Sequence, residues 1–393
     1  MRNFFAAIIT VFAINGYCQQ TNDIIAKANK LVEDKKYESA FKLLDTADST
    51  NCNPDIFLLK EDIVLNYFVS SLMHQAFALK DINKDENIMD YRGKEGIFSM
   101  CWLEIDSILY KLIDKYPENC KLYKGLADYY YCVSQSYETW LIEEEELQNL
   151  VIENCKKTIN GNCADHLTYY HAGMMYLFQE ENAASIPYLK KATELDPTSA
   201  DAHYNLAYAY LFNAHIDSAL HHAELALKLY TDDEYKSDAA HMLGQIYAEK
   251  NEGQNALKYY EMADKIYPGN YYNLKPMIYL YLSDGNKKYE STTETFFNLA
   301  PENPTIYQDL EEAYSMAGKE NELISFYKSQ LSKYKDNNII FGNLNFYLGA
   351  IYLGTDNKTA KKYFEKSKEV FKKVFKADHY IFGVIEAALG RCN

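Results

Sequence analysis

Glycine and proline are scarce, 16 and 8 in 393 residues. So little turn-forming material excludes a loop-rich chain and an all-β protein of many short strands. Positive charge is short as well: 40 Lys and Arg face 56 Asp and Glu, a net of −16. Phosphate backbones need a basic surface, so nucleic acid is excluded as the main partner. Beyond residue 14 no apolar run approaches the ~20 residues that span a bilayer. There is no CxxC, HExxH, P-loop, dinucleotide fingerprint or nucleophile elbow, so the common redox, metal and nucleotide signatures are missing. What is present is apolar material, 48% of residues, which excludes an intrinsically disordered chain. The length exceeds one ordinary core, so two or more domains or a repeat array are expected. The abundant residue is tyrosine, with 37 copies.

Residues 1–18, MRNFFAAIITVFAINGYC, read as a secretory signal. Arg2 supplies the positive start, Phe4 to Ile14 the apolar stretch, and cleavage is expected near Cys18. The chain is therefore expected to be exported, periplasmic or secreted. The bulky Tyr17 disfavours lipid attachment at Cys18. Seven Cys remain (Cys52, Cys101, Cys120, Cys132, Cys155, Cys163, Cys392), an odd number, so at least one is left unpaired within the chain. If a disulfide forms, Cys120 with Cys155 or Cys163 is expected, since these lie near the ends of one helical hairpin.

Three stretches align with a period of 34: residues from Ala164 to Pro197, from Ser199 to Thr231, and from Lys236 to Pro268. Small residues recur at Gly173, Ala207 and Gly244, and Tyr three positions on at Tyr176, Tyr210 and Tyr247. Then come Ser185, Ala219 and Ala256, followed by Ala192, Ala226 and Ala263. A three-residue insertion lies around Asp232 to Tyr235. Each unit holds two apolar patterns of helical period joined by a short polar turn. Small residues let two antiparallel helices cross closely, and the late Pro stops the second helix.

The period and these positions resemble the tetratricopeptide repeat family, in an exported bacterial-type member. Weaker copies follow, near Asn270, Pro304 and Gly342; in the Pro304 copy Glu311 stands where Gly or Ala is expected, which predicts a looser helix crossing. Residues 19–165 are read as divergent helical hairpins, 166–376 as the repeat array, and 377–393 as a last solvating helix. The resemblance implies an all-α, right-handed superhelical solenoid of stacked antiparallel helix pairs. Nothing in the pattern suggests a sheet.

In the family, first helices line the concave face. The inward positions are then Leu167, Tyr170, Met174 and Leu177, with Phe178 beside them; Asp201, Tyr204, Tyr208 and Leu211, with Asn205 and Phe212 adjacent; and Asp238, His241, Gln245 and Ala248. Tyr offers a rigid apolar body with a hydroxyl tip, which suits binding surfaces. The partner-binding set is therefore Tyr170, Met174, Phe178, Tyr204, Asn205, Tyr208, Phe212, His241 and Gln245. The expected function is a non-catalytic scaffold for a protein or peptide partner, with glycan capture by the same aromatics as the alternative. A carboxylate clamp does not fit, because Met174 and Tyr208 stand where Asn is needed. Seven of nine His fall between 166 and 241, but their spacing suits no metal site. Neither cofactor nor metal is expected. Residues 358–376 carry eight Lys against two Glu, a basic helix that could touch an acidic partner or an anionic membrane surface peripherally.

Overall fold

The computed structural model describes residues 21–392 apart from 95, 97, 98 and 137–141. The signal-peptide reading and the site around Cys18 lie outside the described residues. Contacts divide the chain into two compact units, Met1–His215 and Ile216–Asn393.

The first unit begins with helix α1 (21–33), α2 (Tyr37–Ala47) and α3 (Pro54–Asn66). Lys60 of α3 is fully buried, and its three ammonium protons go to Asp45 Oδ1 (2.8 Å), the Asp48 carbonyl (2.6 Å) and Asn51 Oδ1 (2.8 Å). That arrangement fixes the α2–α3 turn. The unit ends with α4 (Ile105–Lys115), α5 (Cys120–Ser136), α6 (Glu144–Asn160), α7 (His166–Phe178), α8 (Asn182–Leu195) and α9 (Ala200–Phe212). Helices consecutive in the chain pack from α4 to α9, and the alternate helices α3, α5, α7 and α9 also lie side by side.

Between α3 and α4 the expectation of unbroken helical hairpins fails. Strands β1 (Phe68–Leu72), β2 (Ala76–Leu79) and β3 (Met100–Trp102) form a three-stranded antiparallel sheet in the order β1-β2-β3. The reversal from β1 to β2 runs over residues 73–75 between the paired Leu72 and Ala76, with the Gln75 amide donating to the Leu72 carbonyl at 3.0 Å. Its central residues Met73 and His74 are both at positive φ (52° and 48°), as a type I′ turn requires. Neither residue is Gly or Asn, so the turn carried no sequence signal. Val69 of β1 and Ala76, Phe77 and Ala78 of β2 are buried.

The second unit runs through α10 (Ile216–Leu229), α11 (Asp233–Glu249), α12 (Gly253–Ile266), α13 (Tyr271–Ser283), α14 (Lys288–Leu299), α15 (Pro304–Met316), α16 (Glu320–Lys333), α17 (Asn338–Tyr352), α18 (Asn357–Phe371) and α19 (Tyr380–Gly390). Each packs on the next.

The two helices of a repeat start differently. Asp165, Ser199, Asp232, Asn270, Asn303 and Asn337 cap α7, α9, α11, α13, α15 and α17 with their side chains, supplying acceptors for otherwise unpaired amides. The second helices α8, α10, α12, α14 and α16 emerge from a left-handed residue: Glu180, Ala214, Asn251, Gly285 and Gly318 all have φ between 58° and 67°. The following amide donates to the carbonyl of the recurrent tyrosine, Tyr176, Tyr210, Tyr247, Tyr281 and Tyr314, at 2.8–2.9 Å. This is the helix-closing bond of a Schellman-type turn.

The small-residue slot has a steric reason. A Cβ on Gly173 would meet Leu189 at 2.6 Å, one on Gly244 would meet Tyr260 at 2.6 Å, and one on Gly349 would meet Phe364 at 2.8 Å. The tyrosines pack one turn later in ring pairs: Tyr176 with Tyr188 (5.4 Å), Tyr247 with Tyr259 (5.3 Å) and Tyr352 with Tyr363 (5.9 Å). Glu311 occupies the small slot of α15, and α15 meets α16 less closely than α11 meets α12. Helix α19 departs from the expected solvating face: Tyr380 is 71% and Val384 44% exposed, so its outward side is apolar.

Candidate functional site

In the first unit, α7 and α9 carry seven of the residues singled out from the sequence. Tyr170, Met174, Tyr204 and Asn205 are half-buried. The Asn205 amide donates to the Tyr170 hydroxyl at 3.2 Å and to the Asp201 carbonyl at 2.9 Å, which joins α7 to α9. Burial, with Tyr131 beside it, raises the Tyr170 phenol well above its ordinary range. Tyr170 and Asn205 therefore build the layer, whereas Phe178, Tyr208 and Phe212 present themselves to solvent; Phe212 is 61% exposed and its ring lies 4.4 Å from that of Tyr208.

The remaining two residues, on α11, belong to the second unit. His241 Nδ1 lies 2.9 Å from Asn273 Oδ1 and donates to it. The Asn273 amide donates to Ser237 Oγ, which donates to the Ala263 carbonyl. This direction around the chain assigns the His241 proton. Burial lowers the pKa of the ring, so it stays neutral and structural. Gln245 is exposed. On α13 and α15, Lys275 bridges Asp309 (2.6 Å) and Glu312 (2.9 Å), and the Tyr271 hydroxyl donates to Asp309.

A feature that sequence reasoning missed lies between α3, α5 and α7. A cavity of about 710 Å³ is lined by Glu61, Asp62, Lys124, Asp128, Asp165 and His171, with Leu58, Leu65 and Leu167 as its apolar wall. Its polar groups come from three helices and one cap. Asp165 is there because it caps α7, accepting from the Thr168 amide at 3.0 Å. Lys124 is held by Asp128 Oδ2 (2.6 Å) and Asp165 Oδ2 (3.4 Å). Tyr131 stacks on His171 with ring centres 3.8 Å apart, and burial pushes its phenol up to about 12. Glu61 is 3% exposed, and its Oε1 has no hydrogen-bond partner. Burial, and then the Asp128 carboxylate, hold its carboxyl well above the usual range. Gly125 leaves the space: a Cβ there would meet Glu61 Oε2 at 2.6 Å. The one available signal was Lys60-Glu61-Asp62 set inside an apolar helix.

A disulfide joins Cys120 to Cys163 at the cavity's edge, Cα atoms 5.8 Å apart. It is one of the two pairings expected, and it ties the start of α5 to the turn before α7. Among the described residues no three metal-ligating side chains converge, and no helix is long and apolar enough to cross a membrane. The basic segment folds as α18 and the turn after it. Its apolar residues Phe364, Val370 and Phe371 are buried, and Lys358, Lys361, Lys362, Lys366, Lys372 and Lys373 remain exposed.

Residues 167–199, 188–221 and 237–270 match the tetratricopeptide repeat family. Among solved structures, the chain is similar to a tetratricopeptide repeat protein from Parabacteroides merdae, with 16% identity over 69% of this chain and 98% of that one, TM-score 0.43. It is similar to the C-terminal part of a TPR repeat-containing protein from Cytophaga hutchinsonii, with 16% identity over 69% and 93%, TM-score 0.39. YrrB, a TPR protein with an unusual peptide-binding site, shares 19% identity over 44% of this chain and 82% of its own, TM-score 0.38. No curated protein matches the chain in sequence.

Proposed function

We propose that this tetratricopeptide-repeat protein, its repeats matched over residues 167–221 and 237–270, is a non-catalytic scaffold that holds a protein or peptide segment against its first helices. The observation that carries the reading is the exposed aromatic pair Tyr208 and Phe212 on α9, with Phe178 exposed on the neighbouring α7. In that layer Tyr170 and Asn205 are engaged in holding α7 to α9. Exposed aromatics beside a rigid, hydrogen-bonded support supply contact area at low entropic cost. Glycan capture would use the same rings.

Export is part of the proposal. It is supported by the signal-like residues 1–18 and by the Cys120–Cys163 disulfide, a bond that persists in oxidising compartments. The exposed lysines of α18 are the proposed peripheral contact with an acidic surface.

The test uses the full chain and a Tyr208→Ala/Phe212→Ala variant as bait against the exported protein fraction. A partner held by the parent and lost from a variant of unchanged helicity and melting temperature supports the groove. Equal capture by both refutes it. Binding to a glycan array that the same variant abolishes selects the glycan reading.

A further inference from the structure

We propose that the cavity between α3, α5 and α7 receives a primary ammonium group on an alkyl stem, held by Glu61 and Asp128. The reading rests on the scaffold function above only for the source of the ammonium, a lysine side chain of a docked segment.

Four carboxylates, Glu61, Asp62, Asp128 and Asp165, line the cavity against Lys121 and Lys124. Lys124 is already shared between Asp128 and Asp165, and the Asp62 carboxylate accepts from Asn66 at 2.9 Å. The acceptors left over are Glu61 Oε1 and Asp128 Oδ1, both buried and without a hydrogen-bond partner. His171 Nδ1 lies 3.1 Å from Asp128 Oδ1 but is not aligned to donate to it. Buried acceptors of this kind are costly unless a donor arrives. An ammonium supplies three donors and a positive charge that favours both Glu61 and Asp128 as carboxylates.

The rest of the cavity selects among cations. No set of three ligating side chains converges on a metal position among the described residues. Leu58, Leu65 and Leu167 offer an apolar wall for a methylene stem. The ring face that a sugar would stack on is taken, because Tyr131 lies against His171. The volume of about 710 Å³ falls in the range of ligand pockets and admits a side chain with its flanking backbone.

Charge predicts a proton linkage. The titratable and charged groups that line the cavity with Glu61 are Asp62 on its own helix, Lys121, Lys124, Asp128, Tyr131 and Cys132 on α5, Asp165 at the α7 cap, and His171 on α7. Burial, and then the Asp128 carboxylate, raise the Glu61 carboxyl and so favour its protonated form in the empty cavity. A bound ammonium favours the carboxylate, so one proton leaves, and affinity tightens with rising pH by up to about tenfold per unit while Glu61 remains protonated.

The experiment is calorimetric titration of the full chain with n-pentylammonium at pH 6 and pH 8, in two buffers of different ionisation enthalpy that contain no primary amine. The neutral comparison is n-pentanol. A second arm uses Nα-acetyl-lysine methylamide, and a third glycinamide, an ammonium without a stem. Expected are binding of the first and second ammonium ligands with proton release, tighter at pH 8, and negligible binding of n-pentanol and glycinamide. Glu61→Gln should weaken binding by at least about tenfold and abolish the pH dependence. It exchanges a buried carboxyl, whose neutral form burial favours, for a neutral amide of similar size, so it should remain folded, and the pH dependence of the parent gives an independent readout. Preference for n-pentylammonium over the lysine amide assigns the cavity to free amines and overturns the lysine source. Equal binding of n-pentanol, unchanged binding in Glu61→Gln, or no ammonium binding at millimolar concentration overturns the cavity assignment. The Tyr208→Ala/Phe212→Ala variant should keep ammonium binding while losing its macromolecular partner, so the two proposals fail separately.

Discussion

Glu311 stands in the small-residue slot of α15, near Tyr327, where α7, α9, α11 and α17 place Gly173, Ala207, Gly244 and Gly349. Its Oε1 is buried and has no hydrogen-bond partner, and burial pushes its carboxyl up to about 7 from 4.5. For an acid with a raised folded-state pKa, the native chain holds more protons than the unfolded chain between those two values. Stability therefore falls as pH rises through that window and levels off above about 7. The difference corresponds to a cost of about 3 kcal/mol at most once the group is ionised in both states. Glu311→Gln removes that cost and keeps the side-chain size. Below pH 4.5 the variant should match the parent, and at pH 8 it should be more stable by up to ~3 kcal/mol. Repeat arrays gain stability from each unit and its neighbours, so the gain should concentrate in α15 and α16. Urea unfolding followed by helical circular dichroism at pH 4 and pH 8 gives the total. Amide exchange of residues 304–333 gives its location. A gain that is the same at both pH values, or none at pH 8, refutes the electrostatic account and leaves packing as the only difference.

Three further perturbations probe other features. Gly342→Ala places a Cβ 2.3 Å from the Phe371 ring, so the α17–α18 pair should lose about 1–3 kcal/mol, read as a lower urea midpoint. Ala214→Gly relieves an alanine at φ 58° and should stabilise the α9–α10 turn by about 1 kcal/mol; a destabilised variant would show that the turn is held by something other than backbone geometry. Lys60→Met keeps the stem but strips three hydrogen bonds from the α2–α3 turn. It should cost about 2–3 kcal/mol, seen as a lower melting temperature, and an unchanged melting temperature would mean that water replaces the ammonium without penalty.

The repeat was legible because its determinants are local. A small residue at 173, 207 or 244, a tyrosine three positions later and a stop after the second helix recur at fixed spacing, and each acts within one helical hairpin. That is why the tyrosine excess could be divided between packing slots and exposed positions. The pairing of Cys120 with Cys163 was within reach for the same reason, since both lie at the ends of one hairpin. The divergent start was misread over residues 68–102. The reversal at Met73 and His74 uses positive φ without Gly or Asn, and three short strands do not contradict a helical period strongly enough to be noticed.

The sequence by itself determined the helix pairs, their period and where they cross closely, because periodicity and side-chain size are properties of the chain. It also determined that Glu311 would disturb its own crossing. Only the tertiary structure decided which singled-out residues are structural and which are exposed. Tyr170 and Asn205 hydrogen-bond each other across 35 positions, and Tyr208 and Phe212 face solvent. Only the tertiary structure brought Glu61, Lys124, Asp128, Asp165 and His171 around one cavity. Those five span more than a hundred residues with irregular spacing, and burial, which sets their charge, exists only once α3, α5 and α7 lie together.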